Sequence, residues 1–419
     1  MTKGPSTPFG EALSAESMQL VHELRARVRM DVIPSNYDTD FNLYRWIMAA
    51  ERLHRSSQDV IDTAEKALRN HLRYRRALQL DSISLPTWDD MPLYSRRLMP
   101  KGQIQSTTDS SNRLLWFIDY ASISVESIAH TLRTSEMCRF QFWQFERMLQ
   151  AVNEQEKRSG KLSSLRNIID MTGYEINPFT MLFVSSGTMA YYTQLFHYEH
   201  YPELLTPVEM VNIARWIHVP YRLARTMMPS GFADRFRLHD GNFLPTLLKE
   251  ISVEHIPLTL GGQADITTAP AIKVVEADYW RPSENDPSLD EMESLHVNAR
   301  RRKMIPVNVS KAGTRIAWYF HTDADIYFGV FYQPDGDQGK VKDLDALEMC
   351  YPWYKMAARL VAEKDSIVCN KPGRYLLAFC NKHAWFSGRN VHIKVETNEV
   401  CESKDASHKR PLLERTLSF

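Results

Sequence analysis

Tyr201-Pro202-Glu203-Leu204-Leu205-Thr206-Pro207-Val208-Glu209-Met210-Val211-Asn212 opens the stretch that decides the fold, residues 201–262. A Tyr-Pro-Glu turn leads into an apolar run closing at Met210-Val211-Asn212-Ile213, which reads as a strand. A helical segment with one apolar face follows, then Arg235-Phe236-Arg237-Leu238, Leu247-Leu248-Lys249, Ile256-Pro257-Leu258 and finally Gly261-Gly262. Upstream, Leu114-Leu115-Trp116-Phe117-Ile118 is an unbroken apolar run between Arg113 and Asp119, as suits a strand covered on both faces. Cys138, Phe142, Phe145 and Leu149 recur at helical spacing, and Asn167-Ile168-Ile169-Asp170-Met171 reads as the next strand. Residues 178–197 read as a helix rich in Phe, Met and Tyr. Strands separated by helices indicate an α/β sheet over residues 85–265.

On either side the periodicity changes. Residues 14–80 form a helical lobe: Ser14 can cap a helix whose Met18, Val21, Leu24 and Val28 share a face. A second helical block over 40–79 carries Leu43, Trp46 and Ile47, breaks at Arg55-Ser56-Ser57, and resumes with Ile61, Ala64, Leu68 and Leu72. Arg69, Arg73 and Arg76 line another face of it, either solvated or meeting anionic headgroups. From 305 to 397 the period is two: Ile316, Trp318 and Phe320, then Ile326, Phe328 and Val330, then Tyr375, Leu377 and Phe379, then Val391, Ile393 and Val395. With turns at Pro334-Asp335-Gly336 and Pro372-Gly373, this is an all-β module, read as a sandwich. Residues 266–304 read as a linker with the basic run Arg300-Arg301-Arg302-Lys303, and 398–419 as a polar tail.

Bulk composition narrows the function. The chain has 419 residues with Lys+Arg and Asp+Glu both at 51, so no global positive field favours nucleic acid. Five widely spaced cysteines include no Cys-x-x-Cys pair, and a cytoplasmic protein with free thiols is expected. The N-terminus lacks the apolar core of a secretory signal, and no run is long enough to span a bilayer, so membrane contact is expected to be peripheral. Neither Gly-x-Ser-x-Gly, a phosphate loop nor Gly-x-Gly-x-x-Gly occurs, and no catalytic residue, metal or cofactor is assigned. His197-Tyr198-Glu199-His200 lacks the i, i+4 histidine pair of a helical metal site. Asp119 and Asp170 end apolar strands, where carboxylates commonly form turns.

The order and spacing within 201–262 resemble the CRAL-TRIO domain of the secretory phosphatidylinositol-transfer family. That family shows Tyr-Pro-Glu, a strand ending near Asn-Ala-Pro, a Lys-Ile strand, a Leu-Leu-Lys helix and a Pro-x-x-x-Gly-Gly close. Tyr44-Arg45-Trp46-Ile47 looks like its entry helix, and Ile169-Asp170-Met171-Thr172-Gly173 like its Asp-x-x-Gly strand. The C-terminal module resembles a GOLD domain through Trp318-x-Phe320, Asp325-Ile326-x-Phe328-Gly329-Val330, Pro372-Gly373-Arg374-Tyr375, Phe379-Cys380-Asn381 and Trp385.

The resemblance implies a mixed sheet flooring a hydrophobic cavity, with a gate helix over residues 219–228. Pro220, Leu223, Ala224 and Met227 would line the cavity, while Arg222 and Arg225 would meet the membrane. Glu203 and Arg235 take the positions that hold a headgroup in phosphatidylinositol-binding relatives. Phe232 stands where those relatives have threonine, Ala50-Glu51 replaces a basic pair, and Asn212-Ile213-Ala214 replaces Asn-Ala-Pro. These departures favour an unmodified lipid, such as a tocopherol or sterol precursor, over phosphatidylinositol. The implied function is non-enzymatic: binding, transfer or sensing of one lipid at an anionic membrane, of the Golgi or another endomembrane, with the GOLD module recruiting a protein or membrane. The competing reading is a signalling or trafficking adaptor with a vestigial cavity.

Overall fold

A five-stranded sheet stands at the centre, in the order β1-β2-β3-β4-β5. Its strands are β1 (Gln103–Thr108), β2 (Leu114–Asp119), β3 (Leu165–Asp170), β4 (Leu205–Val211) and β5 (Phe236–Leu238). β1 is antiparallel to β2, and β2 through β5 are parallel. The computed structural model describes residues 5–29, 32–120, 123, 125–174, 197–214, 217–219, 221–222, 235–334 and 343–399. Of the expected elements, all but the last residue of the helix over 178–197 and most of the gate lie outside the described residues, as does nearly all of the tail.

The register sorts the sheet into two faces. Leu115, Phe117, Ile168 and Val211 point one way and pack on Phe243, Leu247, Ile251, Ile256 and Leu260, a closed apolar cluster. Leu114, Trp116, Leu165 and Val208 point the other way and join a large core with the upstream helices.

The helical lobe comprises α1 (Ala15–Val28), α2 (Asp40–Glu51) and α3 (Ser57–Ala77). Ser14 caps α1 by accepting from the Ser17 amide at 3.1 Å, and Thr39 caps α2 in the same way from Asn42. Two short turns, α4 (Pro92–Ser95) and α5 (Val125–Ala129), precede the long α6 (Thr134–Ser159), which ends at Gly160 in the left-handed conformation. Short α7 (His197–His200) and α8 (Leu244–Leu247) flank β4 and β5.

Two four-stranded sheets follow. One has the order β10-β9-β12-β7, the other β11-β8-β13-β6. Their strands are β6 (Glu293–Val297), β7 (Arg302–Val309), β8 (Thr314–Thr322), β9 (Ile326–Gln333), β10 (Glu348–Met356), β11 (Glu363–Val368), β12 (Gly373–Cys380) and β13 (Arg389–Glu399). Phe320 of one sheet meets Phe328 and Phe379 of the other at ring separations of 4.8 and 5.2 Å, so the two face each other. β6 and the first residues of β7 lie inside the stretch read as linker, so the sandwich begins before residue 305. Glu293-Ser294-Leu295-His296-Val297 carries too few apolar residues to announce a strand and is held by its pairing with β13.

The two halves share one hydrophobic core. Arg73 of α3 bonds Asp345 at 2.7 Å and the Leu344 carbonyl at 3.0 Å. That arginine, one of three considered for headgroup contact, therefore serves the junction with the C-terminal module, and Arg69 is drawn to Glu65 at 2.9 Å. The Tyr74 hydroxyl donates to the Trp353 carbonyl, and Arg139 of α6 pairs with Asp365 of β11 at 2.6 Å. Glu363, at the start of β11, accepts from the first amides of α6.

Candidate functional site

The side of the sheet bearing Trp116 changes character along its length. Near the start of the strands, Leu114, Leu165, Leu205 and Val208 are buried. Towards the carboxyl ends, Ile169, Met210 and Leu238 are only partly buried, as is Phe236 beside Val208. Register makes them neighbours: Ile169 pairs with Met210, and Met210 with Leu238. Ligands of open α/β sheets collect outside the carboxyl ends of the strands. Buried polar atoms lie on the same face. Trp116 and Asn167 are register partners, and neither the indole nitrogen nor the Asn167 Oδ1 meets a hydrogen-bond partner among the described residues.

Beside this face sits a charged centre. Glu203, at the end of the Tyr-Pro-Glu turn, is fully buried with φ of 56°. Arg52, just past α2, grips it with two parallel bonds, Nε to Oε1 at 2.8 Å and Nη2 to Oε2 at 3.0 Å. Arg235, at the start of β5, donates to the same carboxylate. Burial works against the charge on Glu203, but Arg235 and then Arg52 outweigh it and hold its carboxyl below the usual range. The Arg235 guanidinium lies 4.7 Å from the Tyr198 ring centre, and its buried Nε meets no acceptor among the described residues. The structure thus brings Glu203 and Arg235 together. Arg222 is exposed and lies in a short turn with Tyr221. Pro220, Leu223, Ala224, Arg225, Met227 and Phe232 lie outside the described residues.

Arg52 is the member of this centre that sequence reasoning missed. The basic pair of the relatives reads Ala50-Glu51 here, and the charge reappears one position later. The tell-tale was a lone arginine at the helix end. Arg45 of the entry-helix motif does something else: it is buried against Glu156 of α6 at 2.5 Å and locks the lobe to the sheet domain.

A pocket of about 290 Å³ opens between α2 and α3, floored by Trp46, Ala49, Ala64 and Ala67 and rimmed by Tyr198 and Pro202. None of its lining residues belongs to the sheet. Behind it, His71 and His200 stand 3.5 Å apart, fully buried among Tyr37, Trp46, Tyr74 and Tyr201. Burial lowers both histidines, His200 to about 3. No group of three or more metal-ligating side chains occurs among the described residues. Asp170 is a turn former: its Oδ1 accepts from the Thr172 amide at 3.0 Å and from Asn212 at 2.9 Å. No described helix is long and apolar enough to cross a membrane.

Residues 99–262 match the CRAL/TRIO domain, residues 13–83 a domain of unknown function (DUF8435), and residues 278–404 the "F28H7_8_C:-like, C-terminal domain". The CRAL-TRIO domain-containing protein F28H7.8 of Caenorhabditis elegans is 24% identical over 398 residues, 93% of each chain. Protein ctg-1 of the same organism is 21% identical over 408 residues, 94% of this chain and 99% of that one. The crystal structure of Sfh5 is similar at 16% identity, covering 56% of this chain and 84% of that one, with a TM-score of 0.40. Between a helical lobe and an antiparallel β module, residues 99–262 are thus the part of this chain that is similar to the CRAL/TRIO domain.

Proposed function

We propose that this chain holds one lipophilic ligand in a gated cavity of its CRAL-TRIO domain and exchanges it at a membrane surface. The observation that carries the reading is the half-covered face of the sheet, where Ile169, Met210 and Leu238 stay partly exposed at the strand ends, and Phe236 beside Val208, while the opposite face packs into an apolar cluster. Covering apolar surface is worth about 25 cal/mol per Å², so such a face favours an apolar occupant. The occupant gains as well. At about 0.8 kcal/mol per methylene, a sixteen-carbon chain resists leaving a bilayer by about 12 kcal/mol, which only an enclosed apolar pocket offsets.

In this reading Pro220, Leu223, Ala224 and Met227 complete the cavity wall, and Arg222 and Arg225 meet the anionic surface. Glu203, Arg235 and Phe232 mark its polar end. One carboxylate there faces two arginines, and the Arg235 Nε has no acceptor among the described residues, so a ligand oxygen is favoured over a ligand cation. The C-terminal β module is read as a GOLD domain that recruits membranes or proteins.

The test is organic extraction of the purified full chain followed by mass spectrometry, with Ile169→Trp and Met210→Trp alongside. A stoichiometric lipid in the wild type, lost in both variants while they still melt cooperatively, is the expected result. An empty wild type, or ligand retained in full by both variants, rules out the sheet face as a cavity floor. An empty but stable wild type would turn attention to an adaptor role.

A further inference from the structure

We infer that the β12–β13 loop is a membrane-docking tip, with Trp385 and Phe386 entering an anionic lipid surface. The inference goes beyond ligand binding, because this loop belongs to the C-terminal module and contributes nothing to the sheet face described above.

Phe386 is 98% exposed and Trp385 71% exposed, the largest exposures among the large hydrophobic residues of the described chain. They are adjacent, at the apex of the turn between Cys380 and Arg389. A scattered apolar side chain on a surface is ordinary; two of the largest, side by side on a projecting turn, are not. The loop is also held in place. Asn381 donates to the Val297 carbonyl at 3.2 Å and to the Ser387 carbonyl at 3.0 Å, and Arg389 donates to the Ser387 hydroxyl at 2.7 Å and the Gly388 carbonyl at 3.0 Å. The rings are therefore presented by a braced turn.

Cations surround its base. The Arg300 guanidinium stacks 4.1 Å from the Trp385 ring centre, and its amide bonds the Asn381 carbonyl at 3.0 Å. The β7–β12 register sets Lys303 beside Phe379 and Arg302 beside Cys380, so the basic run of the sequence lies against the root of the loop. Lys382 is exposed within the loop itself, and the His383 ring lies 5.1 Å from that of Tyr327. The carboxylates at this end are engaged: Asp325 pairs with Lys355 at 3.6 Å, and Asp323 accepts from Asn390 at 2.8 Å. Aromatic rings outermost with cations one layer behind is the order a bilayer interface selects, rings at the acyl boundary and cations at the phosphates.

The test uses the full chain with phosphatidylcholine vesicles, with and without phosphatidylserine, read by co-sedimentation. The wild type should sediment with the phosphatidylserine vesicles, and the double variant Trp385→Ala/Phe386→Ala should bind them at least about tenfold more weakly. Both side chains are exposed, so its melting temperature should match the wild type. Arg300→Glu with Lys382→Glu should weaken binding and reduce its salt dependence. Brominated lipid should quench part of the wild-type tryptophan emission, and Trp385→Phe should remove that part. Equal binding by wild type and double variant, or no binding by the wild type, overturns the inference. Self-association of the wild type without vesicles, lost in the double variant, would assign the tip to a protein contact and overturn it too. Ligand content is measured separately, so neither outcome bears on the cavity.

Discussion

Substituting Glu363 should abolish the pH dependence of one well-defined part of the stability. Helix α6 begins at Thr134, and its leading amides need acceptors. The acceptor comes from the other half of the molecule: Glu363 Oε1 takes the Thr134 amide at 2.7 Å and the Ser135 amide at 3.3 Å, while Oε2 takes the Ser135 hydroxyl at 2.6 Å. Burial pushes this carboxyl up to about 7 from an ordinary 4.5, and the Ser135 bond and Arg133 charge only partly counter it. The folded chain therefore holds this proton more tightly than the unfolded chain. The stabilisation is complete below about pH 4.5 and is lost as pH rises through about 7. At about 1.4 kcal/mol per pH unit, that window is worth about 3 kcal/mol. Glu363→Gln keeps an acceptor oxygen but cannot ionise. Urea unfolding of both proteins between about pH 5 and pH 8 should show the glutamine variant gaining about 2.5 kcal/mol on the wild type as pH rises. Parallel stability curves for the two would refute the reasoning. Glu363→Ala removes the acceptor at every pH and should cost about 1–2 kcal/mol throughout.

Further outcomes follow from the other buried charges. Glu203→Ala leaves Arg52 and Arg235 facing each other without their carboxylate and should cost about 3–5 kcal/mol in the same unfolding assay, whereas Arg52→Ala, at the more exposed partner, should cost less. The buried pair His71 and His200 titrates below its ordinary 6.5, so the unfolded chain binds more protons and stability is lost as pH falls from 6.5 towards 3. His71→Phe should shallow that acid limb by up to about 1.4 kcal/mol per pH unit; an unchanged acid transition would show that the pair does not govern it.

Much of the architecture is legible in the chain because hydrophobic period is a direct print of burial. Leu114–Ile118 is apolar throughout since both sides of β2 are covered, and Ile316, Trp318 and Phe320 alternate with half-buried Arg315, Ala317 and His321 since one side of β8 is covered more fully than the other. Ser14 and the break at Arg55-Ser56-Ser57 fall where the helices begin and end. β10 escaped although it carries Met349, Tyr351, Trp353 and Tyr354, since its register against β9 is interrupted twice; other strands that escaped are polar ones set by their partners. β1 reads Gln103-Ile104-Gln105-Ser106-Thr107-Thr108 at a sheet edge, and β11 reads Glu363-Lys364-Asp365-Ser366 because its carboxylates reach α6. Contacts between residues far apart leave no periodic trace. Arg52 and Glu203 are 151 positions apart, and nothing local to either announces the pair.

The borrowed cap on α6 has a practical corollary. A fragment ending near residue 265 would contain every strand of the central sheet, yet its longest helix would start with bare amides and a stripped apolar flank. Dissecting this protein at the seam its composition suggests would therefore yield a damaged half, and any exchange of the C-terminal module for another would have to restore a carboxylate at the position of Glu363.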